Sequence, residues 1–273
     1  MNSLYKTVGI SKQAVDQYAR RQDIFEKKLT ELIIEADELR ASHPGCGVEK
    51  MYYTLCPDFI GRDRFVDLFM DLGYRLKKKK NYRVTTRVGP YYYPNLIEGR
   101  CVRGPSEVWQ SDITYIRVGE RYYYAVFIID VYTRKIVGYQ VSDHMRATAN
   151  IQALKMALKT HDPPKIHHSD RGSQYIYEGY VALLKSFNTK ISMGEKAQQN
   201  AYAERINGTI KNEFIAYWRP KSLKELKTQV RKAVDYYNNK RPHDNLQKIS
   251  PKSYEMMLDK SSKPMTIFNY QIN

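Results

Sequence analysis

The sequence predicts an α/β chain in which a mixed five-stranded sheet flanked by helices follows a small all-helical region. Three observations carry that expectation. Residues 24–72 show helical hydrophobic periodicity, residues 108–141 hold three strand-like runs in close succession, and residues 147–217 alternate helix and short strand. The 273 residues carry 45 Lys plus Arg against 29 Asp plus Glu, a formal charge of +16. With 42% hydrophobic residues there is enough apolar material for a core, so a wholly disordered basic tail is excluded. A positive excess of this size raises the energy of the compact state by self-repulsion. It points to a polyanionic partner, with nucleic acid ahead of an anionic membrane surface.

Taken in order, Val8 to Val15 has the turn, serine cap and helix expected either at the second half of a partial helix-turn-helix or of a plain capped helix. Residues 1–22 are set apart on that basis. From Ile24 to Leu39 apolar residues recur at Ile24, Phe25, Leu29, Leu32, Ile33, Ala36 and Leu39, and the turn Ser42-His43-Pro44-Gly45 ends the helix. Val48 to Leu55 and Arg64 to Leu72 read as further helices, the second with Gly73 placed for a left-handed cap. Residues 23–75 therefore form a helical accessory domain. Six of the nine residues from Arg75 to Arg83 are basic, Lys77, Lys78, Lys79 and Lys80 among them, and Pro90, Pro94 and Gly99 follow. Residues 76–106 read as a basic linker, either simply solvated or suited to phosphate contacts.

Val108 to Ile116, Arg121 to Ile129 and Lys135 to Val141 are strand-like, with gaps short enough for an antiparallel meander whose middle strand is buried on both faces. A helix over Ala147 to Leu158, a strand over Lys165 to Ser169, a helix over Tyr177 to Phe187 and a strand over Thr189 to Met193 follow. A helix from about Gln199 to Tyr217 comes next. Three antiparallel strands followed by alternating helix and parallel strand describe a ribonuclease-H-like sheet. Cys46, Cys56 and Cys101 form no CxxC pair and read as buried thiols in a reducing compartment. No signal-peptide stretch opens the sequence and no uncharged apolar run is long enough to cross a bilayer, so a cytoplasmic protein is expected. The tyrosine clusters 91–93, 122–124 and 236–237 fit half-buried packing better than base stacking.

Three acids stand out against this frame. Asp112 lies within the first strand, where a period of two puts it on one face with Gln110 and Thr114, opposite Trp109, Ile113 and Tyr115. Asp170 lies at the C-terminal end of a parallel strand, the edge where ligands bind in open α/β sheets. Glu204 lies off the apolar stripe Tyr202, Ile206, Ile210, Phe214 and Tyr217, on the side of Asn200, Asn207 and Lys211. That polar face suits a carboxylate presented to an active site and equally an ordinary solvated face. Paired or triple carboxylates offer hard divalent cations the oxygen ligands that bracket a phosphodiester. His161, His167 and His168 have no metal-binding spacing, so a zinc role is set aside and His168 is expected to support Asp170. Ser173 and Gln174 suit backbone or phosphate contacts.

Separated motifs now appear in a fixed order. They are Trp109-Gln110-Ser111-Asp112-Ile113-Thr114-Tyr115, then Ile129-Asp130 with Arg134-Lys135-Ile136-Val137-Gly138, then His168-Ser169-Asp170-Arg171-Gly172-Ser173-Gln174-Tyr175. Asn200-Ala201-Tyr202-Ala203-Glu204 with Asn207-Gly208-Thr209-Ile210-Lys211-Asn212-Glu213 follows, and then Tyr237-Asn238-Asn239-Lys240-Arg241-Pro242-His243 with Leu246, Pro251 and Tyr254. Over residues 26–258 this resembles the insertion sequence three family of transposases, in the branch of the retroviral integrase superfamily named for its Asp-Asp-Glu triad. Pro44 to Leu55 and Arg64 to Tyr74 resemble that family's helical DNA-binding module.

The resemblance implies an integrase catalytic core over residues 107–258 and a C-terminal tail over 259–273. It implies that Asp112, Asp170 and Glu204 bind two Mg²⁺ or Mn²⁺ ions, with Lys211 as a contact to the element's terminal DNA; Arg171 and the basic run Lys77, Lys78, Lys79 and Lys80 are further candidate DNA contacts. Between Asp170 and Glu204 lie 33 residues, two fewer than the family usually has, which a contraction in the loop 194–199 absorbs; Glu213 is the reserve acid. The implied activity is phosphodiester cleavage at the element's ends followed by 3′-hydroxyl strand transfer. Implied partners are DNA (terminal repeats and target), further copies of the chain, and a helix-turn-helix segment from an upstream reading frame. An inactive DNA-binding regulator and a general Mg²⁺ nuclease of the same fold are the rival expectations. The resemblance implies a bacterial protein, associated with the nucleoid when bound to DNA.

Overall fold

The computed structural model describes residues 11–76, 93–258 and 266–267, and the chain divides into two compact units, residues 1–77 and 78–273. In the first unit α1 (Lys12–Ser42) starts at Ser11, whose Oγ accepts the Ala14 N–H at 3.1 Å. This helix runs unbroken through residue 22, so residues 12–22 are its first three turns rather than a separate recognition helix. The apolar period starts late because only Leu32, Ala36 and Leu39 are buried, while the upstream turns lie mostly in solvent. There the helix needs only residues of good propensity. Residues 1–10, which would hold the other half of that motif, lie outside the described residues.

α2 (Val48–Leu55) and α3 (Arg62–Asp71) pack Met51, Phe65 and Phe69 into the unit's core, Phe65 and Phe69 stacking at 4.1 Å between centroids. Gly73 takes φ +87°, and the Tyr74 N–H reaches back to the Phe69 carbonyl at 3.0 Å, the cap expected from its position. Of the cysteines only Cys46 is buried; Cys56 is exposed and Cys101 half-buried, so the expectation of three buried thiols fails for two of them.

The second unit is built on a five-stranded sheet. Its strands are β2 (Val108–Val118), β3 (Arg121–Asp130), β4 (Ile136–Ser142), β5 (Ile166–Asp170) and β6 (Lys190–Gly194). Their spatial order is β4-β3-β2-β5-β6; β2–β3 and β3–β4 are antiparallel, β2–β5 and β5–β6 parallel. α4 (Ala147–Thr160) connects β4 to β5, and α5 (Glu178–Ser186) connects β5 to β6. β3 is buried continuously only from Ala125 onward, because its first four residues reach beyond the helices' cover. Trp109, Val126, Ile128, Val137, Leu154, Tyr180 and Leu184 form the core between the sheet and α4 and α5. Gly138 allows the close approach of α4. A Cβ there would collide with the Ala153 carbonyl oxygen and stand 2.9 Å from the Ala157 Cβ.

Asp130 of the Ile129-Asp130 motif is structural. Its buried carboxylate accepts N–H bonds from Ser106 (2.6 Å), Tyr132 (3.0 Å) and Thr133 (2.8 Å) and the Trp109 indole N–H at 3.2 Å. The end of the expected linker is also part of this unit. Ile97 is fully buried, Leu96 N–H donates to Ser192 Oγ at 2.8 Å, and β1 (Cys101–Val102) pairs antiparallel with β7 (Thr266–Ile267), inside the expected tail. Lys77, Lys78, Lys79, Lys80, Tyr91 and Tyr92 lie outside the described residues.

A 3-10 turn (Ala197–Asn200) leads into α6 (Ala201–Thr209), a π-helical turn (Ile210–Ile215) and a last α turn (Ala216–Trp218). α7 (Leu223–Asn239) and α8 (Pro251–Met257) complete the unit. Asn238 satisfies edge strand β4 as a neighbouring strand would, accepting the Ile136 N–H and donating to its carbonyl, both at 2.9 Å. Among the described residues no helix is long and apolar enough to cross a membrane.

Candidate active site

α6 is fastened to β2 by a row of polar bonds. Gln110 Nε2 donates to the Gln199 carbonyl (3.3 Å), Gln110 Oε1 accepts the Tyr202 N–H (3.1 Å), and Asn200 Nδ2 donates to the Ser111 carbonyl (2.9 Å). Asn207 Nδ2 donates to Asp112 Oδ2 at 2.8 Å and Lys211 Nζ to Thr114 Oγ1 at 3.2 Å. Gln110, Asp112 and Thr114 thus use one strand face, as the alternation expected. The helix side read as polar is largely an interface: Asn200 and Asn207 are buried, and the amide nitrogen of each donates to β2. Asn207, which polarity alone did not single out, is the side chain that holds Asp112.

Across this docked face the charges of Asp112, Asp170 and Glu204 reach one another. Burial first, then the charge of Asp170 and that of Glu204, push the Asp112 carboxyl up to about 8, against the stabilising bonds from Ile113 N–H and Asn207. Glu204 is likewise raised, by partial burial and then by Asp170. Every pair among the three therefore interacts. Asp170 ends β5 opposite Gly194 of β6, and its Oδ1 accepts the Gly172 N–H at 3.1 Å.

The other expected residues fall as follows. Lys211 is half-buried against Thr114, and burial lowers its ammonium pKa while Asp112 opposes that shift. Arg171 is engaged by Glu195, Nη1 to carboxylate oxygen at 3.3 Å. Glu213, the reserve acid, is committed elsewhere. Both its oxygens take Arg241 nitrogens at 2.7 Å in a buried pair stacked on Tyr237, which explains Arg241 in the closing motif. His168 does not support Asp170; its Nδ1 pairs with Ser192 Oγ at 2.8 Å, while His167 Nε2 pairs with the Tyr180 hydroxyl at 2.9 Å. Gln174 bonds backbone, donating to the Met145 carbonyl at 3.0 Å.

Among the described residues no three His, Cys, Asp or Glu side chains already close on one point. The oxygens of Asp112 and Asp170 are held instead by Ile113, Asn207 and Gly172. The charges of Asp170 and Glu204 raise the Asp112 carboxyl and that of Asp170 raises Glu204, and carboxylates set against one another in this way are the hard oxygen donors that a divalent cation takes.

Two family models described as integrase core domain match residues 102–199 and 185–251. A Shigella sonnei protein, "Insertion element IS600 uncharacterized 31 kDa protein", is 36% identical over 203 residues, 71% of this chain and 75% of its own length. "Transposase InsF for insertion sequence IS3A" of Escherichia coli K12 is 34% identical over 157 residues, 56% of this chain and 54% of that protein. The chain belongs to the insertion sequence three family of transposases. This transposase also superposes on a chain of the simian T-cell lymphotropic virus intasome, solved in complex with PP2A regulatory subunit B56 gamma. The TM-score is 0.52 at 14% identity, covering 84% of this chain and 77% of that one. At that identity the likeness speaks to fold, and it bears out the expected integrase-core architecture. Such a core implies dependence on a divalent cation.

Proposed function

We propose that this transposase cleaves the phosphodiester at each end of its element and joins the freed 3′-hydroxyl to target DNA, using Asp112, Asp170 and Glu204 as one site. The observation that carries this reading is the mutual charge interaction of the three acids across β2, β5 and α6. Two Mg²⁺ or Mn²⁺ ions held by these carboxylates would supply the acidity that activates the attacking oxygen and takes up charge on the leaving one. In the first displacement a water oxygen bonds to phosphorus as the 3′ oxygen leaves. In the second that 3′-hydroxyl bonds to a target phosphorus as the target's own 3′ oxygen leaves.

The chain's contribution is placement. Ile113 N–H and Asn207 hold Asp112, and Gly172 N–H holds Asp170, so little reorganisation remains when substrate arrives. Lys211, beside Asp112, offers a cation to the terminal DNA backbone. Arg171 and Lys77–Lys80 supply further phosphate contacts, so affinity falls steeply with salt. Further copies of the chain bring two DNA ends together, an upstream-frame helix-turn-helix partner contributes end recognition, and the protein works in the bacterial cytoplasm at the nucleoid.

The test is strand transfer of a pre-cleaved element end by the purified chain in Mg²⁺. Wild type joins ends to target, whereas Asp170→Ala loses joining and keeps DNA binding. Indiscriminate degradation of RNA–DNA hybrids and element ends alike, or joining that survives Asp170→Ala, overturns the reading.

A further inference from the structure

We infer that Glu195 is a built-in competitor for DNA at Arg171, its carboxylate engaging the guanidinium at the sheet edge that ends in Asp170 until a backbone phosphate displaces it. This rests on the proposed DNA-processing role of the Asp170 site. Arg171 directly follows Asp170 where β5 ends, and Glu195 directly follows Gly194 where the parallel strand β6 ends, so the pair lies at the sheet edge that carries Asp170. Its Nη1 stands 3.3 Å from Glu195 Oε1, with the arginine side chain 21% exposed and the glutamate 65%. The two partners are therefore unequal. The guanidinium is largely enclosed and keeps its position, while the carboxylate is mostly in water and leaves at small cost. A carboxylate presents the same oxygen pair to an arginine fork that a phosphate does, so one can stand in for the other.

The loop carrying Glu195 is built rather than loose. Gln199 Oε1 accepts the N–H of Glu195 at 2.6 Å and of Lys196 at 3.2 Å, turning the chain back immediately after β6. Gly194 permits that turn, since a Cβ there would stand 2.9 Å from the Gln199 Cβ and 3.0 Å from His168 Nε2. That turn returns an acid to Arg171. In a chain of formal charge +16, one negative charge at this point filters weak, non-specific polyanion contacts more than it stabilises the fold.

The test is a double-mutant cycle on binding of element-end DNA by the full chain, with thermal unfolding of each variant and strand transfer read in parallel. Glu195→Gln should tighten DNA binding about two- to five-fold, the range of an exposed ion pair. It should also steepen the salt dependence by about one phosphate contact. In the Arg171→Gln background the same substitution should give no gain. An equal gain in both backgrounds would mean that Glu195 acts only through the general field, and no gain in either would make the pair merely structural; each overturns the inference. Wild type that binds end DNA without joining it would count against the proposed function alone, since the cycle is read on binding.

Discussion

Asn207 and Asp112, 95 positions apart in sequence, meet in a hydrogen bond of 2.8 Å from the Asn207 amide nitrogen to Asp112 Oδ2. The bond ties α6, and with it Glu204, to the strand that carries the first acid. A hydrogen bond of this kind contributes about 0.5–1.5 kcal/mol while Asp112 is protonated and about 1.5–3 kcal/mol once it is ionised. Asn207→Ala is expected to lower the single-turnover strand-transfer rate about 10- to 100-fold while DNA affinity changes little. Unchanged rates would show that Asp112 is oriented by something else.

The Asp112 carboxyl lies far above its ordinary range, so its charged form is disfavoured by folding. The unfolded chain gives up that proton first as pH rises, and metal-free stability contributed here is lost between about pH 4 and pH 8. Asp112→Asn should therefore raise the melting temperature of metal-free protein at pH 8, its unfolding free energy increasing by on the order of 1–3 kcal/mol. Mg²⁺ should stabilise wild type and leave the variant unmoved. Thermal unfolding followed by circular dichroism, in chelator and again in Mg²⁺, measures both effects, and a variant less stable than wild type in chelator would contradict the account.

His167, lowered to about 3 by burial and then by the neighbouring His168, and His168, lowered to about 4 by burial, give the opposite sign. Both are neutral when folded, and unfolding lets them take up protons. Their contribution is complete above the ordinary histidine value and is lost as pH falls towards 4. Measured against His167→Gln and His168→Gln references, so that the raised carboxyls of Asp112, Asp130 and Glu204 cancel, urea-unfolding free energy should fall by up to about 1.4 kcal/mol per pH unit for each histidine between pH 6 and pH 4. A flat profile would mean that the rings are not held neutral.

Glu213 and Arg241 form a buried pair, 17% and 8% exposed, between the π-helical turn and the segment after α7. Removing one partner leaves an uncompensated charge. Glu213→Gln or Arg241→Met alone should cost about 3–5 kcal/mol in denaturant unfolding, and the double substitution much less. Full stability with lost catalysis in Glu213→Gln would instead assign Glu213 to the chemistry.

Much of this was legible from residue pattern. Alternation in Gln110, Asp112 and Thr114 found the face that α6 occupies, and apolar runs located the strands to within two residues. What escaped depends on partners distant in sequence. Asn200 and Asn207 look the same whether they meet water or a strand, because polarity does not record what satisfies it. The first turns of α1 carry no apolar stripe, and the π-helical turn around Lys211 arises where α6 is pinned at Thr114 and at Arg241. His168 was misassigned because adjacency along β5 says nothing of Ser192 on β6.

The central claim is that Asp112, Asp170 and Glu204 make one cation site. Crystals of the full chain soaked in Mn²⁺ and measured for anomalous scattering test it most directly. Peaks within ligand distance of all three carboxylates, lost in Asp112→Asn, are the predicted result. Peaks confined to other acids, or none at saturating Mn²⁺, would contradict it.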